Sequence, residues 1–205
     1  MKLYLSSYKF GNDTKYLKDW ISKNNNKILL IFNALDAKGE EKTRNNVDID
    51  TKLLEEIGFE VNVVDLKDYF GKEELLKKDF SKYNAYCVIG GNVFVLRQAM
   101  KFSGFDEYLK EISSNDNYLY IGYSAGSCIL SKDLEPLAIV DEPICFYNES
   151  KVIWEGIGLV DYLIIPHYKS NYHKSNLIDE LVLKCEKEKI KFETIKDGDI
   201  KIIWK

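Results

Sequence analysis

The amino-acid sequence predicts an α/β fold built on a mostly parallel, doubly wound central sheet with an antiparallel C-terminal edge hairpin. Three observations lead there. Short β-rich runs alternate with longer amphipathic segments along the 205 residues. Several runs are nearly continuous in apolar residues, as in Ile28-Leu29-Leu30-Ile31-Phe32, which is the pattern of a strand covered on both faces. Asp197-Gly198 is a hairpin-type turn signal between the last two runs, and it sets the antiparallel edge. Strand–helix alternation elsewhere calls for right-handed crossovers between parallel neighbours.

The strands are expected over residues 2–6, 27–33, 60–65, 85–89, 118–122, 162–166, 191–195 and 199–204. Helical patterns fill 45–58, 72–82, 92–103, 105–113 and 175–189, and Gly58 is placed as a C-terminal cap. The stretch 133–154 has no clear period and reads as loop with one or two short strands. No internal repeat or low-complexity segment interrupts the chain, so residues 1–205 are expected to form one domain.

Composition narrows the function classes. Hydrophobic residues make up 45%, enough to bury a sizeable core, which excludes intrinsic disorder. The net charge of −4 comes from 29 basic and 33 acidic residues mixed along the chain, so no footprint for nucleic acid or anionic membrane is expected. Lys184 to Lys191 alternates lysine with glutamate and reads as a solvated helix face. No run of about 18 apolar residues exists, and the N-terminal residues are too mixed for a signal peptide. The four cysteines lie far apart in sequence and are expected to be reduced in a cytoplasmic protein. The only histidines, His167 and His173, have no cysteine near them in sequence, which argues against a zinc site. Neither a Walker loop nor a Gly-x-Gly-x-x-Gly turn is present; no metal and no cofactor are expected.

The residues that carry chemistry gather at three strand ends. Gly122-Tyr123-Ser124-Ala125-Gly126 follows the strand 118–122 at once, and Ser127-Cys128-Ile129-Leu130 starts like a helix. In a Gly-x-Ser-x-Gly elbow the serine occupies a strained turn that thrusts its hydroxyl out above the strand ends, while small neighbours let backbone pass close by. Ser124 is therefore the candidate nucleophile, and the Ala125 N–H a candidate oxyanion donor. The bland alternative is an ordinary glycine-rich turn. A second junction, Ile89-Gly90-Gly91-Asn92, belongs at the same carboxyl edge, where parallel sheets bind ligands. The Gly91 N–H is the candidate second donor. Asn92 either caps the following helix or binds substrate.

A serine nucleophile needs a general base within hydrogen-bond reach. His167 follows Leu163-Ile164-Ile165-Pro166 and lands at the carboxyl edge, so it is the leading base; His173 lies in a polar stretch and reads as a surface residue. The acid behind the imidazole stays open among Asp133, Glu135, Asp141 and Glu142. Asp161 begins the His167 strand and belongs to the opposite edge.

At these positions the chain resembles the peptidase S51 family, dipeptidase E and its relatives, within the class I glutamine amidotransferase-like superfamily. The resemblance rests on Gly90-Gly91-Asn92-x-Phe94, Gly122-Tyr123-Ser124-Ala125-Gly126, Ile139-Val140-Asp141 and Pro166-His167-Tyr168, in that order, and spans most of the chain. It implies a flavodoxin-like three-layer sandwich and a Ser–His–acid triad of Ser124, His167 and, a few residues before Ile139, Glu135, with Asp133 as the alternative. It further implies serine-type hydrolysis of short peptides through a covalent acyl-enzyme, with a small peptide as partner and room for a homodimer. Serine in place of the amidotransferase cysteine disfavours glutaminase chemistry. Dipeptidase E cleaves dipeptides with an N-terminal aspartate through basic recognition after the histidine, but 168–174 holds lysines and no arginine. Another small substrate therefore fits equally well. The rival expectations are a hydrolase of ester or isopeptide-like bonds and a non-catalytic or small-molecule-binding member of the fold.

Overall fold

Nearly continuous apolar runs dictate a sheet buried from both sides. The computed structural model describes residues 1–147 and 151–204. Its strands are β1 (Lys2–Ser6), β2 (Lys27–Ile31), β3 (Glu60–Val64), β4 (Ala85–Val88), β5 (Leu119–Tyr123), β6 (Leu163–Pro166), β7 (Phe192–Ile195) and β8 (Ile200–Trp204). The helices are α1 (Lys15–Ile21), α2 (Glu40–Ile57), α3 (Glu73–Phe80), α4 (Val93–Ser103), α5 (Phe105–Ile112), α6 (Ala125–Cys128) and α7 (Ser175–Glu188).

Six strands form the central sheet in the order β3-β2-β4-β5-β1-β8. The first five are parallel, and β8 closes the edge antiparallel to β1, Lys2 facing Trp204 and Ser6 facing Ile200. In β1, Leu3 and Leu5 enter one core while Tyr4 enters the other; in β2, Leu29 and Ile31 part from Ile28 and Leu30 in the same way. This is the two-residue period of a strand, with helices on both faces. Leu17 and Trp20 of α1 and Leu54 of α2 cover one side. Helices α3, α4, α5 and α7 cover the other.

The eight strands lie where the sequence places them, to within two residues at either end. The differences are local. Helix α1 gives no long periodic signal because it has only two turns. Helix α2 begins at Glu40, five residues before its apolar pattern starts, with Glu40 and Glu41 in the first turn where the helix dipole favours acids. Strand β2 stops at Ile31. The chain then turns, because the Asn33 side chain donates to Asp36 and Asp65 and accepts from the Leu66 N–H at 3.0 Å. In the stretch 133–154 the described residues hold a short 3-10 turn, Glu135–Ile139, and a single bridge between Asp133 and Glu155; residues 148–150 lie outside the described residues.

One expectation needs correcting. Strands β7 and β8 do not form the C-terminal hairpin: β8 pairs with β1, whereas β7 pairs in parallel with β6 in a separate two-stranded sheet, Pro166 facing Ile195. The antiparallel edge is right, but its partner strand is the first of the chain. Asp197-Gly198 is therefore the link between two sheets, and that change of sheet decides where Asp197 sits.

A buried polar cluster fastens the β1 loop to the sheet. Asp50 of α2 is fully buried, accepts a hydrogen bond from the Tyr123 hydroxyl at 2.7 Å and pairs with Lys9 at 2.9 Å. Burial pushes the Asp50 carboxyl up, and the charge of Lys9 pulls it back. Asp50→Ala leaves the largely buried Lys9 ammonium unpaired, so it should lower the unfolding free energy by about 3 kcal/mol, read from urea denaturation. An unchanged denaturation midpoint would contradict this.

Candidate active site

Five carboxyl ends of parallel strands converge on one point. Ser124 follows β5 with φ 51° and ψ −119°, a region that a non-glycine residue enters only when its surroundings force it. The forcing contacts are visible. A Cβ on Gly126 would lie 2.0 Å from the Val88 carbonyl oxygen of β4, and one on Gly122 would lie 2.4 Å from the Gly126 oxygen. Only glycine permits these approaches. The Tyr120 hydroxyl donates to the Gly126 oxygen at 2.7 Å, and the Ser127 hydroxyl lies 2.9 Å from the Ser6 oxygen and 2.8 Å from the Gly122 oxygen. The elbow is thus pinned to β1, β4 and β5 together.

His167 stands just past β6, also at positive φ, 64°, and is 5% exposed. Its Nε2 lies 3.1 Å from Ser124 Oγ, and its Nδ1 lies 2.8 Å from Asp197 Oδ1. The Tyr172 ring stacks on the imidazole at 4.0 Å between centroids, with 13° between planes. A carboxylate accepts only, so the proton between His167 and Asp197 sits on Nδ1. Nε2 then carries a lone pair and accepts from the Ser124 hydroxyl. Burial is the main influence on the imidazole and holds it below its ordinary value of 6.5, against the opposing pull of Asp197. The neutral ring is the form needed to take a proton from Ser124.

Of the other expected residues, Glu135 is not brought to His167. It is exposed at the start of its 3-10 turn, where its N–H donates to Asp133 Oδ1 at 2.9 Å. Asp133 is exposed as well, engaged as the acceptor of that turn. Asp197 occupies the position behind the imidazole instead. Asp141 lies in the wall of a narrow pocket beside Ser124 and His167, together with Cys128, Leu137, Tyr172 and Ile178. Its carboxylate accepts from the Val93 N–H at 3.0 Å and stands 3.7 Å from Lys174 Nζ. Asn92 caps α4, accepting from the Phe94 and Val95 N–H groups at 2.9 and 3.0 Å and donating to the Glu142 oxygen at 2.9 Å. Its carbonyl oxygen is therefore committed to the helix. Gly90 packs against the elbow: a Cβ there would come within 2.9 Å of Ser124 Cβ. The N–H groups of Gly91 and Ala125 donate to no other group among the described residues. His173 is exposed and its ring meets Tyr172 at 4.4 Å.

Sequence reasoning missed Asp197 and Ser7. A signal for Asp197 existed, because a strand–helix–strand unit places the residues just past its two parallel strands side by side. Reading Asp197-Gly198 as a hairpin hid it.

The model of peptidase family S51 matches residues 5–200. An uncharacterized peptidase of Listeria monocytogenes is 33% identical over 132 residues, covering 62% of this chain and 60% of that protein. One of Listeria innocua is 33% identical over 125 residues, covering 60% and 57%. The chain thus spans less than two thirds of the length of these curated relatives. Among solved structures, a Listeria monocytogenes protein assigned as a peptidase E superposes with a TM-score of 0.77 at 22% identity, over 100% of this chain and 98% of that one. A peptidase from an acI-B1 actinobacterium gives 0.69 at 15% identity, over 98% and 82%. At these identities the two structures speak for the fold.

Proposed function

The chain belongs to peptidase family S51, and from that premise we propose that it is a serine-type peptidase acting on short peptides through Ser124, His167 and Asp197. One observation carries the reading: a serine in a strained elbow lies 3.1 Å from a buried imidazole whose other nitrogen lies 2.8 Å from a carboxylate. Each group has its task. Ser124 Oγ attacks the scissile carbonyl carbon while Nε2 of His167 takes the hydroxyl proton. The negative charge that forms on the carbonyl oxygen is met by the N–H groups of Gly91 and Ala125. Asp197 stabilises the imidazolium and keeps the ring in place. Nε2 then protonates the leaving amine, which departs with the C–N bond, and an acyl ester remains on Ser124. Water repeats the sequence and releases the acid.

Substrate preference is a separate matter. Lys174 donates to the Val140 oxygen at 2.6 Å and neighbours Asp141, so it is already engaged, and Lys169 lies over the Tyr168 ring. Neither marks an aspartyl site. The test is a dipeptide panel with and without N-terminal aspartate, extended to esters and isopeptides. Cleavage of at least one peptide by the native protein and none by Ser124→Ala is expected. Equal cleavage by both proteins would end the proposal, and cleavage confined to esters or isopeptides would replace it with that rival chemistry.

The pH dependence has a definite sign. Above its folded pKa the imidazole is neutral and can act as base, so the midpoint of the acid limb of kcat/KM should lie below pH 6.5. An acid limb lying above 6.5 would contradict the burial argument. The same shift bears on stability. Between 6.5 and the lower folded value the unfolded chain binds more protons, so this group's contribution to stability falls as pH drops through that window.

A further inference from the structure

The described triad is held from behind by a residue outside it. Ser7, the first residue past β1, is completely buried. Its Oγ accepts a hydrogen bond from the backbone N–H of His167 at 2.7 Å. The same oxygen contacts Asp197 Oδ1 in a short hydrogen bond and lies 3.3 Å from His167 Nδ1. Resting on the reading of Ser124, His167 and Asp197 as the catalytic groups, we infer that Ser7 is a positioning residue that locks both His167 and Asp197 in their working geometry.

Counting donors and acceptors leaves one arrangement. A serine hydroxyl has one proton and two lone pairs, and an ionised carboxylate has no proton to give. The His167 N–H fills one lone pair of Ser7. The Ser7 proton must then go to Asp197 Oδ1, which also accepts from Nδ1–H. Nε2 is left without a proton and facing Ser124. One hydroxyl thereby fixes a backbone, a carboxylate and, through the carboxylate, a tautomer. The held backbone is itself unusual, because His167 has φ 64°, and its N–H would be buried without a partner if Ser7 lost its oxygen. The neighbouring residue ties the unit to the nucleophile: the Ser6 carbonyl oxygen accepts from the Ser124 N–H at 3.3 Å and from the Ser127 hydroxyl. Two consecutive serines, the last residue of β1 and the one after it, thus touch the elbow and the His–Asp pair, which come from sequence regions more than 40 residues apart (Ser124 and His167 differ by 43 positions).

Mere structural packing would explain the burial of Ser7 but not its convergence on both members of the pair, and the two accounts separate in the pH profile. The charged and titratable groups acting on the imidazole are Asp197, Asp141 and His173, with the Tyr172 ring stacked on its face. Of these, Ser7 touches only Asp197. Removing its hydroxyl takes a donor from that carboxylate, concentrates the charge facing Nδ1 and favours the imidazolium.

The experiment is Ser7→Ala, assayed on whichever peptide the native protein cleaves, with Ser124→Ala as the control. Expected are a fall in kcat of about 10- to 100-fold, KM within about threefold of native, and an acid limb displaced to higher pH. A kcat within twofold of native, or an acid limb that stays in place or moves down whatever the size of the loss, overturns the inference. If Ser7→Ala fails to fold, Ser7→Cys keeps the volume with a weaker donor and is read by the same limb. Activity retained by Ser124→Ala would instead overturn the underlying reading, so the two failures are distinguishable.

Discussion

Ser124→Ala is expected to lower kcat for peptide hydrolysis by up to about a million-fold, because the atom that attacks the carbonyl is gone and the oxyanion donors and binding contacts remain. Little else should change. Ser124 is partly exposed, so loss of its hydroxyl should shift stability by no more than about 0.5 kcal/mol. Ser124→Gly sharpens the point. At φ 51° and ψ −119° the serine stores backbone strain, of order 1–3 kcal/mol for such a conformation, which glycine relieves at some cost in unfolded-chain entropy. The glycine variant should therefore be as inactive as the alanine variant yet more stable by about 1 kcal/mol in urea denaturation. Equal or lower stability for Ser124→Gly would show that the elbow is not strained.

Asp197→Asn has the second largest expected effect, a loss of about 10⁴-fold in kcat. The amide carries no charge to offset the imidazolium. Its NH2 group can also hold the ring in the tautomer with the proton on Nε2, which then cannot accept from Ser124. Glu135→Gln is the matched comparison and should leave kcat within about twofold, since Glu135 is exposed at the start of its 3-10 turn and away from His167. The reverse pattern, a large loss in Glu135→Gln and none in Asp197→Asn, would return the acid to the position that the family resemblance suggested.

The contrast between those two acids shows what the sequence makes legible. Strands announce themselves through apolar runs, and the elbow and His167 are visible because each follows its strand directly. The carboxyl edge of a parallel sheet then brings them together without further information. Asp197 depends on something the residues do not display locally: β7 joins β6 in parallel, and only that register, Pro166 against Ile195, brings Asp197, two residues past β7, to His167, the residue after β6. The same two letters, Asp-Gly, signal a hairpin when read alone and a change of sheet in the fold. Ser7 is hidden for a different reason. Its role consists of two hydrogen bonds across 160 and 190 positions, and no periodicity or motif encodes them. Asn92 shows the opposite case, where helix capping, a purely local rule, accounts for both contacts of the side-chain oxygen.

The most direct test of the account is the rate and site of modification by a fluorophosphonate probe, followed by intact mass and peptide mapping. A single adduct is expected on the peptide containing Ser124, absent from Ser124→Ala and strongly slowed in His167→Ala. Labelling of Ser124→Ala at the native rate would contradict it.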